Sequence, residues 1–371
     1  MRKFSWLAVL GLALIISCQQ NETTVAPTFH ADSNPPVLSE WGMLAMTGGA
    51  LVPGDRVEPY DLNSPLFSDH AGKFRTVWMP EGASARYDAG DVFDFPVGTV
   101  ITKTFYFPIG EHGQLERGDQ TGSPAVLNLD RVQLIETRIL VRRDAGWDAL
   151  PYVWNDDQTE AVLMRTGDAQ HFTLVDDGHA IEVDYLVPNV NQCRGCHVTN
   201  NTTREMRPIG LAARHLNREF DYTDGRENQL ERLIAAGYLT GAPAPDAAPR
   251  TPDWTDTSLP IDARARAWLD INCAHCHNPA GPADTSGLFL DPETPMGPNF
   301  GLCKMPIAAG PGSGGRRFDI VPGQPDESIL IYRLESLRPD VMMPELGRSG
   351  VHEESTALIR DWVSSLDGDC G

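Results

Sequence analysis

Short runs that mix hydrophobic and polar residues in partial alternation fill the chain from about residue 40 to residue 187. Five of them are rich in valine, isoleucine, threonine and aromatic residues, with glycine, aspartate or proline between them: 91–107, 131–143, 148–155, 169–176 and 180–187. No helical period extends over a useful length in this part. Several short strands at this spacing predict a β-rich domain, residues 40–187, with a β-sandwich or barrel-like fold.

The pattern changes after residue 187. Apolar residues recur at helical spacing in three stretches: 225–239, 326–336 and 352–366. A further helix starts near Asp262, and a proline- and alanine-rich stretch before it is interpreted as a linker. The sequence therefore predicts a multidomain β + α protein whose second half has three parts: a first segment at 188–240, the linker at 241–255, and a C-terminal helical domain at 256–371.

The N-terminal residues have the features of an export signal. Arg2 and Lys3 precede an apolar run that is too short to span a bilayer. The residues around Cys18 resemble the bacterial lipoprotein signal, in which this cysteine is acylated; a plain signal peptide cut nearby is the alternative. We expect a signal peptide over 1–17, a flexible tether over 18–39, and a protein held by its lipid on the periplasmic side of a bacterial membrane.

Acidic residues dominate the charge of the chain. There are 51 Asp and Glu residues against 30 Lys and Arg, a formal net charge of −21. Such a surface repels nucleic acid and anionic lipid. The charge therefore argues against nucleic acid as a partner and favours protein partners with a basic docking face.

Two segments share the pattern Cys-x-x-Cys-His: Cys193, Cys196 and His197 in the first motif, and Cys273, Cys276 and His277 in the second. In this pattern the cysteines form thioethers with the vinyl groups of a haem, and the histidine binds its iron. The motifs lie 80 residues apart, unlike a short zinc-finger spacing. Neither has the βαβ context of a redox Cys-x-x-Cys. The sequence therefore predicts two covalently attached c-type haems.

Three cysteines lie outside the two motifs: Cys18, Cys303 and Cys370. If Cys18 carries lipid, Cys303 and Cys370 remain as an even pair. An oxidising compartment favours their pairing. We expect a disulfide between them; two unpaired buried cysteines are the alternative.

The loop 338–348 offers a distal ligand for the second haem. Met343 lies immediately before Pro344 and ahead of the last predicted helix. Methionine opposite histidine gives an electron-transferring iron with a raised potential. Met343 is the predicted sulfur ligand, and Met342 is the alternative.

The distal ligand of the first haem is less defined. One histidine, His215, and one methionine, Met206, lie between the first motif and the linker. Met206 follows His197 closely for a chain that must pass round the ring edge, whereas His215 has the reach. The sequence also allows a ligand from the β-rich domain or an open distal position.

The chain resembles a family of bacterial dihaem c-type cytochromes, often lipoproteins, that join an N-terminal β domain to two haem-binding segments. The matching stretches are these: 60–82, 93–105, 136–163, 187–197, 208–219, 318–336 and 342–348. The C-terminal part also resembles small cytochrome c modules that end in a methionine-proline loop and a helix with an Asp-Trp pair, here Asp361 and Trp362. The resemblance supports Met343 as a ligand but not His215 or His70. It implies α-helical cytochrome c-type segments, haem and iron binding, and electron transfer, without a specific reaction.

These observations favour a periplasmic, membrane-tethered dihaem cytochrome that transfers single electrons between redox proteins. One alternative is a peroxidase- or oxidase-like enzyme with an open first haem. Another is a receptor formed by the β-rich domain, to which the haems deliver electrons. No nucleophile motif supports hydrolysis.

Overall fold

The computed structural model describes residues 25–120, 122–307 and 309–371. The predicted signal peptide and Cys18 lie outside these residues. Within them the chain is β-rich with a few short helices, as the sequence pattern predicts. No helix in these ranges is both long and apolar enough to cross a membrane.

The strands lie mostly in the first half of the chain. In chain order they are β1 (Leu44–Thr47), β2 (Ala50–Pro53), β3 (Glu58–Tyr60), β4 (Gly72–Trp78), β5 (Ala85–Arg86), β6 (Val100–Pro108), β7 (Leu115–Glu116), β8 (Leu127–Asn128), β9 (Val132–Arg143), β10 (Gly146–Trp154), β11 (Ala161–Leu163), β12 (Asp168–Asp176), β13 (His179–Val187), β14 (Glu219–Tyr222), β15 (Gly225–Asn228) and β16 (Leu239–Thr240). The largest sheet has six antiparallel strands in the order β11-β10-β9-β6-β4-β3. Smaller sheets have the orders β1-β2-β8 and β13-β12-β7.

Both faces of the six-stranded sheet are covered. Because side chains alternate along a strand, Tyr106 belongs to the main core of the β domain, whereas Phe105 and Phe107 belong to a second cluster formed with β12 and β13. The ring of Phe107 meets that of Phe172 on β12 with centroids 5.1 Å apart. The β12–β13 hairpin therefore packs as a second layer on this sheet.

In the described part of the chain, the α-helices come after β13: α1 (Val190–His197), α2 (Ala213–Leu216), α3 (Gln229–Ala235), α4 (Ile261–Leu269), α5 (Ile329–Glu335) and α6 (Glu353–Ser364). Helix α4 continues as a π-helical turn over Asp270–Ala274 that leads into the second motif. The indole Nε1 of Trp362 on α6 donates to Asp262 Oδ1 on α4 at 2.9 Å. Around this contact α4, α5 and α6 share a separate apolar core.

The helix expected within 225–239 is shorter than predicted. Residues 225–228 form β15 and pair with β14, so α3 covers only Gln229–Ala235. The chain leaves the helix at Gly237, whose φ of 75° lies in the left-handed region that glycine adopts at low cost. The helical spacing of the apolar residues did not reveal the hairpin in front of them.

Two segments expected to be loosely attached are packed against the β domain. In the described part of the predicted tether, the Pro35 carbonyl oxygen accepts a hydrogen bond of 2.9 Å from Tyr152 Oη. In the predicted linker, the Pro245 carbonyl oxygen accepts one of 2.7 Å from Asn217 Nδ2. The described part of the predicted tether therefore contacts the β domain, and the linker contacts Asn217 in the first segment.

Candidate functional site

The second motif lies at the wall of a cavity of about 400 Å³, the second cavity. Cys273, Cys276 and His277 line it together with Met343, so the structure brings the four predicted residues to one space. Apolar side chains form much of the remaining wall: Leu288, Leu290, Ile320, Ile329, Leu330 and Leu334. Cavities that hold small molecules and cofactors measure roughly 300–1,000 Å³ and have mostly apolar walls.

The ring of His277 is oriented by a backbone group. Its Nδ1 lies 3.2 Å from the carbonyl oxygen of Leu288. A carbonyl can only accept, so the ring proton is on Nδ1 and Nε2 keeps its lone pair. Burial lowers the pKa of His277, which keeps the ring neutral near neutral pH. The geometry therefore leaves Nε2 with a free lone pair, as in histidines that bind a metal through this nitrogen.

His197 in the first motif has the same arrangement. The motif occupies α1, whose start is fixed by a capping box between Asn189 and Gln192. After the helix, Val198 pairs with Met206, and this pairing returns the chain so that His197 Nδ1 lies 2.8 Å from the carbonyl oxygen of Arg207. Burial lowers the pKa of this histidine to about 3, against the opposing effect of that carbonyl. Here too Nε2 is the free nitrogen.

The four motif cysteines are not bonded to one another. Burial raises the pKa of Cys193 to about 11 and, with smaller contributions from neighbouring groups, the pKa of Cys273 and Cys276 to about 12. Cysteines of redox Cys-x-x-Cys motifs have lowered pKa values, because the thiolate is the reactive species. These motifs therefore do not have the electrostatics of a thiol–disulfide oxidoreductase.

A smaller space of about 80 Å³, the first cavity, lies at the first motif. Residues of three regions of the chain line it, including Lys103, Arg138, Cys196, His197, His275 and His352. Several residues line both cavities, including Cys196, Asn272, His275, Leu334, Met343 and Leu346. The two motifs therefore face adjoining spaces that share a wall.

The six-stranded sheet carries a row of three basic side chains, of which Lys103 and Arg138 line the first cavity. Arg75, Lys103 and Arg138 lie directly opposite one another on β4, β6 and β9, and opposite residues lie on the same face of a sheet. Arg75 pairs with Asp61 at 2.9 Å and Arg138 with Glu136 at 2.5 Å. Lys103 has no carboxylate partner among the described residues, and burial together with the neighbouring guanidinium groups lowers its pKa.

A buried arginine holds the loop that carries Met343. The Arg348 guanidinium donates to the carbonyl oxygens of Met343 at 2.9 Å, Arg333 at 3.2 Å, Ser336 at 3.0 Å and Gly350 at 2.9 Å. These bonds fix the backbone of the loop beside both cavities. Met342, the alternative ligand, is buried but lines neither cavity.

The two residues that the sequence offers as distal ligand of a haem at the first motif, Met206 and His215, lie away from both cavities. Met206 is 5% exposed and belongs to the core of the β domain. His215 is buried with its Nε2 3.6 Å from Asp270 Oδ2. Neither lines the first or the second cavity. His70, which the resemblance did not support, has its Nδ1 3.0 Å from Asp119 Oδ2.

The sequence reasoning missed two histidines at the first cavity. His275 lies within the second motif itself, between its two cysteines, and His352 directly precedes α6. In both rings Nδ1 is buried without a hydrogen-bond partner. Burial lowers the pKa of each to about 4. A signal for His275 was present, because the second motif reads Cys-Ala-His-Cys-His.

The remaining cysteines are joined at the C-terminal end of the chain. Cys303 and Cys370 form a disulfide with their Cα atoms 5.1 Å apart, the pairing that the cysteine count predicts. No group of three or more His, Cys, Asp or Glu side chains in the described ranges could hold a bare metal ion. A c-type haem uses a different set of groups, since its cysteines bond to the porphyrin and a single histidine approaches the iron from the proximal side.

No family model, no curated protein and no solved structure matches the chain.

Proposed function

We propose that the protein is a dihaem c-type cytochrome that transfers single electrons between redox proteins. One observation carries this proposal: in both Cys-x-x-Cys-His motifs the histidine bonds a backbone carbonyl through Nδ1, at 2.8 Å in the first and 3.2 Å in the second. A histidine that binds a metal through one ring nitrogen usually donates such a hydrogen bond from its other ring nitrogen. A bound haem would supply the one-electron chemistry.

The second site fits a c-type haem in space and in donor chemistry. Cys273 and Cys276 would provide the thioether sulfurs of a bound haem, and His277 Nε2 would bind its iron. Met343 lines the same cavity, and its sulfur would be a second ligand, which raises the potential of a haem iron. Helix α5 lines this cavity as well, and a cytochrome c-type segment over 256–371 is part of the proposal.

The first site fits in donor chemistry, although its cavity is small. Cys193, Cys196 and His197 have the required pattern, although Cys193 is buried and lines neither cavity. Arg138 lines the first cavity and would offer positive charge for the propionate groups of a haem. The cavity of about 80 Å³ is below the usual size for a cofactor. Attachment at this motif therefore requires its lining side chains to move apart.

The shared wall places the two sites close enough for electron transfer between them. Cys196 and Met343 line both cavities, so groups held by the two motifs lie side by side. The chain's part in transfer is to hold both redox centres at short range and to keep water from them with the apolar walls described above.

Location and partners form part of the same proposal. A lipid on Cys18 would hold the protein at the periplasmic side of a bacterial membrane, where haem attachment takes place. The net charge of −21 favours transient docking to partners with a basic face. Such docking steers association without a large buried interface.

Counting covalent haem after substitution of each cysteine pair tests the proposal. The chain is produced together with a bacterial haem-attachment apparatus, and haem per chain is measured by intact mass and by the haemochrome spectrum. We expect two haems in the wild type and one each in Cys193→Ser/Cys196→Ser and Cys273→Ser/Cys276→Ser. The matched control, Cys303→Ser/Cys370→Ser, keeps two. Matured protein without covalent haem would refute the proposal.

A further inference from the structure

A third cavity lies in the β domain and shares no lining residue with the first and second cavities. Its volume is about 420 Å³, within the roughly 300–1,000 Å³ of cavities that hold small molecules. Strands β1, β2 and β3, the end of β14 and helix α3 all contribute to its wall. Much of this wall is aliphatic: Ala45, Val52, Pro53, Val57, Pro59 and Val126. The proposed electron transfer does not use this space.

Tyr222 is a buried polar residue of this wall. It is 8% exposed, yet it belongs to none of the apolar clusters of the described chain. A buried tyrosine usually finds a hydrogen-bond partner for its hydroxyl, but no described residue bonds Tyr222 Oη. The Arg232 guanidinium stacks on its ring, 4.6 Å from the centroid. Burial raises the pKa of Tyr222, so its hydroxyl keeps the proton and can donate a hydrogen bond.

The charged side chains at this cavity leave one cation without a partner. Arg56, Glu58 and Arg232 are the charged residues of its wall. The Arg232 guanidinium bonds Glu58 Oε2 at 2.7 Å. It also pairs with Asp224 at 2.9 Å and with Glu227 at 3.0 Å, so the charges of Arg232 and Glu58 are compensated. Arg56 forms no ion pair with a carboxylate of the described chain, and the wall therefore offers its positive charge to a ligand.

The backbone of Arg56 is held in an uncommon conformation. Its φ is 56°, in the left-handed region that residues other than glycine seldom adopt. The Tyr238 hydroxyl donates to the carbonyl oxygen of Arg56, and the guanidinium carbon lies 5.6 Å from the centroid of the Tyr238 ring. Such conformations persist where surrounding contacts impose them, and they cluster at sites that clamp ligands. The turn therefore presents this exposed side chain beside the cavity from a fixed backbone.

We propose that the third cavity binds a small carboxylate with an aliphatic body. The carboxylate pairs with the Arg56 guanidinium and accepts a hydrogen bond from Tyr222 Oη, while the aliphatic body lies against the valine and proline side chains of the wall. Binding is reversible and involves no covalent or redox step. The inference goes beyond the proposed function and does not depend on haem, since no residue of either motif lines this cavity. It gives the β domain a ligand site of its own.

Calorimetric titration of the full chain with octanoate tests the site. Octanol and octylammonium have the same aliphatic chain, with a neutral or a cationic head group in place of the carboxylate. We expect octanoate to bind most tightly and its affinity to fall as salt is raised, because salt screens an exposed ion pair. No heat of binding with millimolar octanoate, or equal affinity for the three probes, would overturn the proposal. Covalent haem counted in the same preparation reports on the proposed function alone, so the two proposals fail independently.

Two substitutions test the assigned side chains. Arg56→Gln should weaken octanoate binding by about tenfold or more, and Tyr222→Phe by about two- to tenfold, as expected for the loss of a charged and of a neutral hydrogen bond. The control is Arg86→Gln, whose side chain is 78% exposed and lines none of the three cavities; it should bind as the wild type. Because Arg56 is exposed, its variant tests the site even where Tyr222→Phe unfolds the domain. Unchanged binding by Arg56→Gln, or an equal loss in Arg86→Gln, would contradict the inference.

Discussion

At the scale of single residues, Arg348 fixes the position of the loop that carries Met343. The arginine is 7% exposed, has no carboxylate ion pair among the described residues, and donates to four backbone carbonyl oxygens. Burial lowers the pKa of this arginine. A buried charge is tolerated only where it is well hydrogen-bonded. The hydrogen bonds of this arginine therefore hold the loop of Met343 at a fixed distance from α5.

Replacement of Arg348 by alanine should destabilise the protein and loosen its methionine ligand. The loss leaves buried carbonyl oxygens without donors, which costs at least the ~1–3 kcal/mol of one such group. We expect a lower free energy of unfolding in denaturant titration and a weaker methionine–iron charge-transfer band in the holoprotein. The control is Arg338→Ala, whose side chain is 63% exposed, with an expected change within about 0.5 kcal/mol. Equal effects of the two substitutions would contradict this role.

At the scale of elements, the sequence predicts best where local patterning and tertiary structure agree. The runs 131–143, 169–176 and 180–187 coincide almost residue for residue with β9, β12 and β13. Their β-branched and aromatic residues pack on covered sheet faces, so local propensity and burial favour the same structure. The β14–β15 hairpin gives a weaker signal, because each strand has only four residues and only β14 alternates, with Phe220 and Tyr222 buried.

The candidate site shows the same contrast between residues that local sequence reveals and residues that tertiary packing brings together. Covalent attachment depends on residues adjacent in sequence, so both motifs are evident from the sequence alone. The distal position of the first motif depends on which side chains tertiary packing brings into the cavity. His215 has a suitable sequence separation but points toward Asp270. His275 lines both cavities, and the sequence did not reveal this because the residue lies inside the other motif.

The disulfide fastens the C-terminal end to an internal loop, and its removal should cost substantial stability. Cys303 and Cys370 are 67 residues apart, and closing a loop of that length in the unfolded chain corresponds to about 4 kcal/mol. We expect Cys303→Ser/Cys370→Ser to lower the free energy of unfolding by up to this amount. Adding a thiol reductant should destabilise the wild type but not the variant. A reductant effect of equal size in both proteins would point to another target.

At the scale of the whole molecule, the first cavity lies between the two halves of the chain. Lys103 and Arg138 reach it from the six-stranded sheet, whereas His275 and Arg348 reach it from the C-terminal half. Asp69 helps to join the halves, because its carboxylate accepts hydrogen bonds from the backbone N–H groups of residues 349 and 350 at 2.7–2.9 Å. The first motif therefore needs both halves in place, which explains why local sequence could not define its cavity.

A buried ionic cluster supports the same interface. Arg117 bonds Asp119 at 3.2 Å and Asp176 at 3.0 Å, and it also pairs with Glu354 on α6 at 2.5 Å. Asp119 in turn bonds His70 at 3.0 Å. Burial alone would raise the pKa of Asp119, but the hydrogen bonds from His70 and Arg117 outweigh it and hold this pKa well below its usual range.

The lowered pKa of Asp119 predicts an acid-dependent contribution to stability. A carboxyl group whose pKa is lower in the folded state stabilises the fold fully above its unfolded pKa of ~4 and loses that contribution as the pH falls toward the folded value. Asp119→Asn should therefore lower the free energy of unfolding at neutral pH by about 1.5–3 kcal/mol, the usual contribution of a hydrogen bond to a charged group. The difference from the wild type should shrink as the pH drops below ~4. Denaturant titrations of both proteins across this range measure it, with the exposed Asp361→Asn as control. A difference that stays constant with pH would mean that the substitution removes packing and not charge, and the cluster would then hold the two halves together by shape.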